Sequence, residues 1–539
     1  MLAKLIFYSL LTQFKLHPLE RVFKAENMIF FLLCIVSVFT YSQCMTDTHL
    51  MPKWYFTAFV LLLAVLALLV KSIFNRLSKI DFLIYSYFIS FICLIQALYG
   101  ILQWLKLIPS VGRFQVVGSF DNPAGFAACL CAGLPFIFLC LKEVRGKKQK
   151  TILYLLLLAV VLAIVVSGSR SGVLTIAIVL TIWLYPYIPF KLKSKILISV
   201  CLILVLLGGG YFLKKDSADG RLLIWRCSLE MVKDLPFCGY GINGFKAHYM
   251  DYQANFLMEK PNSGYMKLAD NVSSPFNEYL NIMIKFGYLG MIILISGILL
   301  LIFCYCKDPK YEKRIALYSL LSIGIFSMFS YPFTYPFVWI IICLDIFVLM
   351  RGNIVLNIQK NYKNILYVFA IAVCSWGGIK LYQRINAEYQ WGKIAYSTAN
   401  ENLAIYYKLM SVMGNNPYFL YNYSVALFEL NRLNESLKLA LFCNRYWADY
   451  DLELLLGSIY SKMKDYDMAE IHYRKASLMC PCRFVPLYYL YELYKEAGNA
   501  NGMLSVGRLI MDKPVKVNSM QVMQIRNKVR RELSYIDIN

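Results

Sequence analysis

Apolar residues fall along this chain in long unbroken blocks, not at the period of 2 or 3.6 residues that marks a half-buried strand or surface helix. The blocks lie at about 27–44, 54–71, 82–104, 123–141, 151–167, 172–190, 195–213, 286–306, 315–332, 335–350 and 364–381. A helix of roughly 17–25 residues crosses a bilayer, so the pattern predicts an all-α, polytopic bundle of about 11 spans. Tight turns join the blocks around Arg170 and at Tyr331–Pro336, and a polar interval of about 214–285 precedes the eighth block. The early apolar stretch from Leu5 to Leu11 is short, and no small-residue cleavage site follows it, so a cleavable signal peptide is not expected.

Beyond about residue 381 the blocks end and self-similarity appears at a period of about 34 residues. The clearest unit has Leu456, Gly457, Tyr460, Ala469, Tyr473, Ala476 and Pro481. Small residues stand where two helices cross closely, large ones fill the gap, and a proline closes the unit. Those are the spacings of a tetratricopeptide repeat. Ser424 and Tyr491 take the Gly457 place in looser flanking units, with Ser436 and Met503 at the place of Ala469, and a degenerate unit precedes them around Trp391 to Pro417. The expected division is therefore 1–381, a membrane domain with its loop at about 214–285, and 382–539, a repeat domain. Such arrays bury each hairpin on its neighbour and offer a concave surface for a protein partner.

Charge then orients the chain. Net charge is +23, with 16% charged and 59% hydrophobic residues, which excludes disorder, a collagen-like repeat and a small disulfide scaffold. A basic balance alone would suggest nucleic acid. Its distribution says otherwise: of 36 Lys and Arg in residues 1–381, 22 lie in the N-terminal segment and in alternate short loops, while the opposite short loops hold only Lys53, Lys106, Arg113 and Arg170. By the positive-inside rule the N-terminus is cytoplasmic. The long loop and the repeats then face outward, and no nucleic-acid partner is expected. Most of the 16 cysteines sit in the apolar blocks as small apolar residues. Cys227 and Cys238 share the long loop and could pair in an oxidising compartment, and no Cys/His spacing reads as a metal site.

Four polar motifs interrupt the outward-facing ends. Ser167-Gly168-Ser169-Arg170-Ser171-Gly172 is a turn between two blocks; its glycines serve the turn, whereas Arg170 is either a phosphate clamp with paired donors or an interfacial snorkelling arginine. Gly220 to Arg226 opens an amphipathic helix with Leu222, Trp225 and Leu229 on one face, and Arg221 and Arg226 are either further phosphate ligands or solvated charges. Pro236 to Gly244 then breaks that helix with three glycines. Gly112-Arg113 and Gly118 to Pro123 enter the fourth block, where Asn122-Pro123 signals a helix start and Asp121 a cap. Asp270 to Leu280, including Asn277 and Glu278, leads into Phe286-Gly287-Tyr288-Leu289-Gly290. Arginines with a few carboxylates in one outer-leaflet cavity suit a lipid-anchored phosphate or diphosphate.

The ordered set GSFDNPAGF, SGSRSG, GRLLIWRCSLEMVKDLPFCGYGINGF and FNEYLNIMIKFGYLG resembles the family of O-antigen ligases, O-antigen polymerases and protein O-oligosaccharyltransferases, over roughly residues 25–350. The resemblance implies a bacterial inner-membrane glycosyltransferase with a periplasmic repeat domain. Its donor would be an undecaprenyl-pyrophosphate-linked glycan and its acceptor a hydroxyl on protein, lipid A-core or growing polysaccharide, with no metal or other cofactor. It implies that Arg170 and Arg221, with Arg113 a further candidate, hold the pyrophosphate. Asp121, Asn122, Trp225 and Asn277 support the motifs.

The sequence departs from the family at one place. Ligases and oligosaccharyltransferases usually carry a histidine before the Asn of the last motif, and here Phe276 stands there. Asp270 and Glu278, then His248, are the replacement candidates for the base that takes the acceptor's proton. Ligase or oligosaccharyltransferase activity is favoured over polymerase activity, because a repeat domain suits docking of a protein. A non-catalytic scaffold is the reading from another class. A transporter is disfavoured, since Asp345 is the main charge inside a block.

Overall fold

The structure is a computed structural model that describes residues 24–73, 81–110, 112–187, 189, 201, 205, 208–212, 214–261, 263–352, 360–395 and 402–536. Every regular element among them is helical. Contacts divide the chain into two compact units, Met1–Gly210 with Leu294–Tyr389, and Tyr211–Ile293 with Gln390–Asn539. The long loop thus groups with the repeats and not with the helices that flank it in sequence.

The first unit is built from α1 (Ala25–Phe39), α2 (Leu50–Ile73), α3 (Phe82–Trp104), α4 (Pro123–Glu143), α5 (Lys147–Val166) and α6 (Arg170–Leu184). It also contains the later part of α9 (Glu278–Lys307), α10 (Tyr311–Ser327), α11 (Pro336–Met350) and most of α12 (Lys360–Ile394). Six segments among the described residues are long and apolar enough to cross a membrane, in α2, α3, α4, α5, α6 and α9, with α1 and α11 shorter apolar helices. The protein is a multi-pass membrane protein. Predicted span 82–104 coincides with α3, and 195–213 falls mostly outside the described residues.

Helix α4 is the central post, buried from Gly125 to Leu141. It packs closely because its small residues meet side chains of its neighbours: a Cβ at Gly133 would strike the Cys93 thiol, and one at Gly125 the Tyr335 ring. Pro135 lies inside α4 and has no N–H to bond the carbonyl of residue 131. Ser322 of α10 donates its hydroxyl to that Cys131 carbonyl at 2.7 Å, so the group freed by proline is satisfied where no water is available. On α5, Leu155 and Leu158 are 60% and 63% exposed, which is where lipid replaces protein neighbours.

The second unit joins α7 (Lys215–Lys233), α8 (Gly244–Glu259) and the start of α9 to a helical array. The array comprises α13 (Leu403–Met413), α14 (Pro417–Glu429), α15 (Leu433–Asn444), α16 (Tyr450–Lys462), α17 (Tyr466–Met479), α18 (Val485–Glu496), α19 (Ala500–Asp512) and α20 (Met520–Ile536). Three hairpins begin at Pro417, Tyr450 and Val485, the register the repeat reading expects. Gly457 sits against the Tyr473 ring, where a Cβ has no room. At the matching place one unit earlier, Ser424 and Ser436 each donate a hydroxyl to the other's carbonyl, at 2.9 and 2.8 Å, so their polar substitution of small residues is satisfied.

The loop helices and repeats share one core of Leu223, Cys227, Met231, Tyr249 and Leu257 with Tyr450, Met479 and Cys480. The buried face of α7 differs from the expected one. Leu223, Ile224, Cys227, Ser228 and Met231 are buried, whereas Leu222 and Leu229 are about half exposed, at 45% and 53%. Two apolar stripes with helical spacing run along α7, and periodicity alone does not say which one meets α8.

Candidate functional site

In the first unit, chain direction puts the starts of α4 and α6 at one end of the bundle, and the polar motifs of that end are held by side chains sent from inside the spans. Gln103, 2% exposed, accepts from Val117 N and Gly118 N at 3.0 and 2.8 Å and donates to the Gly118 carbonyl. Gln96, fully buried, bonds both the Ser119 backbone N–H and the Ser119 hydroxyl. Lys53, 1% exposed, donates to the carbonyls of Thr40 and Ser119, each at 2.9 Å, and its ammonium lies 5.4 Å from the Phe120 ring centre. Buried polar groups like these are costly unless paired. Here three of them fix a single loop.

That loop delivers Asp121 and Asn122. Asn122 caps α4, accepting from Ala124 N and Gly125 N at 2.9 Å each. Its amide donates to Asp121 at 2.7 Å, and the Tyr335 hydroxyl lies 3.3 Å from Asp121 Oδ1. The cap is therefore Asn122 and not Asp121, which the sequence suggested; Asp121 is an exposed carboxylate that accepts from the Asn122 amide. Ser169 caps α6 by accepting from Gly172 N. Arg170 opens α6 and donates to the Gly210 carbonyl at 2.8 Å. Arg113 is exposed on the turn before the loop.

In the second unit the motifs of the long loop converge. A cavity of about 360 Å³ is lined by Arg221, Asp270, Phe276, Gln253, Asp216 and Lys516, among others. The Arg221 guanidinium lies 5.4 Å from the centre of the Phe276 ring, a cation–π contact. Trp225 of α7 donates from its indole to the Pro275 carbonyl at 3.0 Å and so fixes the turn that presents Phe276. Phe276 itself has φ of +52°, a left-handed backbone that a bulky residue adopts only when its surroundings demand it.

Asn277 then caps α9, accepting from Tyr279 N and Leu280 N at 2.9 and 3.1 Å. Glu278, 3% exposed, accepts from the Asn281 amide at 2.9 Å and does not line the cavity. His248 packs against Tyr240, ring centres 4.8 Å apart, and is not among the cavity's lining residues. Of the three candidate bases, Asp270 alone borders the space that Arg221 borders. Cys227 is buried and Cys238 exposed, and both are free thiols.

The cavity's floor is tied to the repeats. Gln253, fully buried, donates to the carbonyls of Asp270 and Met479 at 3.1 and 2.7 Å and accepts from the Tyr249 hydroxyl at 2.7 Å. Arg483 donates to Asp270 at 2.8 Å, and the Asn271 amide to Asp449 at 2.7 Å. Removing Gln253 takes a bond from the buried Met479 carbonyl and from the partly buried Asp270 carbonyl, so Gln253→Leu is expected to cost about 1–3 kcal/mol, the penalty for one orphaned buried group. Thermal unfolding of the purified protein checks this.

Burial pushes the carboxyl of Asp449 up to about 6, against the bond from Asn271. A raised folded-state pKa favours the protonated form, so the favourable contribution is full below the ordinary value of 3.8 and is lost as pH rises through about 6. Asp449→Asn keeps the cap on Asp451 N and removes the ionisation. It is expected to raise stability at pH 8 by on the order of 2–3 kcal/mol, at 1.36 kcal/mol per pKa unit, and to change little at pH 4. Melting temperatures at the two pH values test this.

Sequence reasoning did not single out Gln96, Gln103, Lys53, Tyr335 or Lys516. The glutamines had a signal, since an amide inside an apolar block is costly. Lys516 had none, because nothing local distinguishes it from a solvated lysine.

A family model described as O-antigen ligase matches residues 153–295. That stretch contains Arg170 and most of the cavity's lining residues. No curated protein matches the chain. Among solved structures, yeast Tom70 matches with 11% identity and a TM-score of 0.22, over 88% of this chain and 96% of that one. Likeness at that level carries no inference. Residues 153–295 thus carry an O-antigen ligase family domain, within a multi-pass, all-helical membrane protein.

Proposed function

We propose that this protein moves a glycan from undecaprenyl pyrophosphate to an acceptor hydroxyl at the periplasmic face of a bacterial inner membrane. The observation that carries this reading is the cavity in which Arg221, from the matched segment, lies with Asp270 and a second cation, Lys516. Guanidinium groups bind diphosphate oxygens with paired donors. As the bond from the sugar's anomeric carbon to the phosphate oxygen breaks, the electron pair stays on the diphosphate, and the two cations stabilise the growing charge. The acceptor oxygen forms the new bond to the anomeric carbon, and its proton passes to Asp270. Arg170, at the start of α6 in the first unit, is the other diphosphate ligand that the family resemblance implies.

Phe276 takes no proton. It walls the cavity and holds Arg221 by its ring face, so the base is moved to another residue and not abolished. No metal or other cofactor enters this reaction, since the leaving diphosphate is neutralised by protein cations. The N-terminus is cytoplasmic and the repeats periplasmic, in line with the 22 basic residues of the alternate loops. Ligase or protein O-oligosaccharyltransferase activity is preferred to polymerase activity, because the repeats share a wall with the cavity and suit a docked acceptor.

The fate of the lipid-linked glycan in a deletion strain tests this. Protein or lipid A-core is expected to lose the glycan while the lipid-linked form accumulates. Shortened polysaccharide chains with intact glycoproteins and intact lipid A-core would point to a polymerase instead.

A further inference from the structure

The first unit has a charged cavity of its own, at the end of the bundle away from Asn122. Tyr335, which bonds Asn122, precedes α11, so the last turn of α11 lies at the other end. Helices α1, α3 and α10 start where α11 ends, and with the turn between α9 and α10 they wall a cavity of about 670 Å³. The volume lies in the range of about 300–1,000 Å³ that ligand sites occupy. None of the residues assigned to glycan transfer lines it.

Four cations line this cavity, Lys24, Lys310, Lys313 and Arg351, against three carboxylates. Two of the carboxylates are engaged: Asp81 caps α3 by accepting from Ile84 N, and Asp308 meets Lys310 and Lys313 at 3.0 and 3.2 Å. The third, Glu312, is exposed. Lys313 is only 3% exposed. Its one ion-pair partner among the described residues is Asp308, shared with Lys310, and no hydrogen bond to another group reaches its Nζ. An ammonium has three N–H donors, and a buried charge with donors unused is costly. Lys24 and Lys310 stand at the cap positions of α1 and α10, and neither helix has a side-chain cap bond. Their first N–H groups therefore favour negative charge at the same place as the lysines do.

The charge balance identifies the class of ligand. One positive charge is left over, and a phosphodiester carries one negative charge. The apolar residues of the walls, Phe82, Ile84 and Val348, are 1–3% exposed and leave no open aromatic face for a nucleobase. Cations between helices at the end of membrane spans stand at the depth of phospholipid headgroups. We infer that this cavity binds the phosphodiester of an anionic ligand, with Lys313 as its buried contact, and that the headgroup of a phosphatidylglycerol-type lipid is its source. The site is separate from the glycan-transfer reading, and neither depends on the other.

Native mass spectrometry of the full-length protein in detergent tests this. The probes are dioleoyl phosphatidylglycerol, dioleoyl phosphatidylcholine and the water-soluble diester glycerophosphoglycerol. Wild type is expected to retain phosphatidylglycerol about tenfold better than phosphatidylcholine, equivalent to 1.4 kcal/mol. Lys313→Met should abolish that preference. Arg351→Gln changes an exposed side chain and leaves the core intact, and it should weaken the preference as well. Lys148→Gln removes an exposed cation of α5 that does not line the cavity, and it should change nothing. Tighter binding of the lipid than of glycerophosphoglycerol assigns the source to the membrane. Equal binding of the two, weakened by the same variants, keeps the phosphodiester site and assigns its source to a soluble ester. The inference is overturned if phosphatidylcholine is retained equally well, if Lys148→Gln weakens retention as much as Arg351→Gln, or if Lys313→Met and Arg351→Gln both leave it unchanged.

Discussion

Arg221→Ala is expected to lower glycan transfer by about 10²–10³-fold, the usual loss when one charge-stabilising donor is removed from a site. The effect should fall on kcat and on kcat/KM for the lipid-linked donor alike, since the cation is needed most when the diphosphate leaves. Arg221→Lys should recover only part of the loss. It restores the charge but not the planar fork that pairs with phosphate oxygens and lies against the Phe276 ring. Unchanged unfolding of both variants, with transfer lost in the first, would assign the effect to the site and not to the fold. Donor turnover by Arg221→Ala at the wild-type rate would remove Arg221 from the mechanism.

Gly287→Val is the second large effect expected. Helix α9 is broken at Gly287, where φ is +63° and ψ −158°, a backbone that only glycine adopts readily. At that break the loop after α7 docks directly on it. Tyr240 N and Gly241 N donate to the carbonyls of Ile284 and Lys285, at 2.9 and 3.0 Å. A Cβ at Gly287 would run into the Phe237 carbonyl and Gly239 N, and a Cβ at Gly239 into the Lys285 backbone. Two sequence motifs, PFCGYGING and FGYLG, are therefore two sides of one contact. Valine adds both the steric clash and the strained φ, so a cost above about 3 kcal/mol follows from the two terms together. The loop is expected to undock, with new protease sensitivity near 236–244 and loss of transfer. Gly297→Ala, at a glycine of α9 with no positive φ and open space for a Cβ, should do far less.

Much of this architecture was legible in the sequence because it is written locally. An apolar block specifies a span without any knowledge of its neighbours, and α3 fell on the predicted residues. Asn122 before Pro123, and Asn277 before α9, stand where helix starts need an acceptor. Gly457, Ala469 and Tyr473 revealed the hairpin because close crossing leaves a fixed spacing. The rest depends on contacts between distant segments, which leave no period. Leu222 and Leu229 form as good a stripe on α7 as Leu223 and Cys227, and only the presence of α8 and the repeats decides between them. Proximity to the motif put Asp270 and Glu278 ahead of His248 but did not tell those two apart, and the fold separates them by which one borders the cavity. Phe276 marked a departure from the family, yet its left-handed backbone and its contact with Arg221 show only in the fold, where Trp225, fifty residues away in the chain, holds the neighbouring Pro275 carbonyl.

The central claim is tested most directly by donor turnover in purified full-length protein. Radiolabelled undecaprenyl-pyrophosphate-linked glycan is incubated with a hydroxyl acceptor, and free undecaprenyl pyrophosphate is measured together with glycosylated acceptor. The account predicts equal amounts of both products from wild type and neither from the Arg170→Ala/Arg221→Ala double variant. Absence of carrier release from folded wild-type protein, or release by the double variant at the wild-type rate, would contradict it.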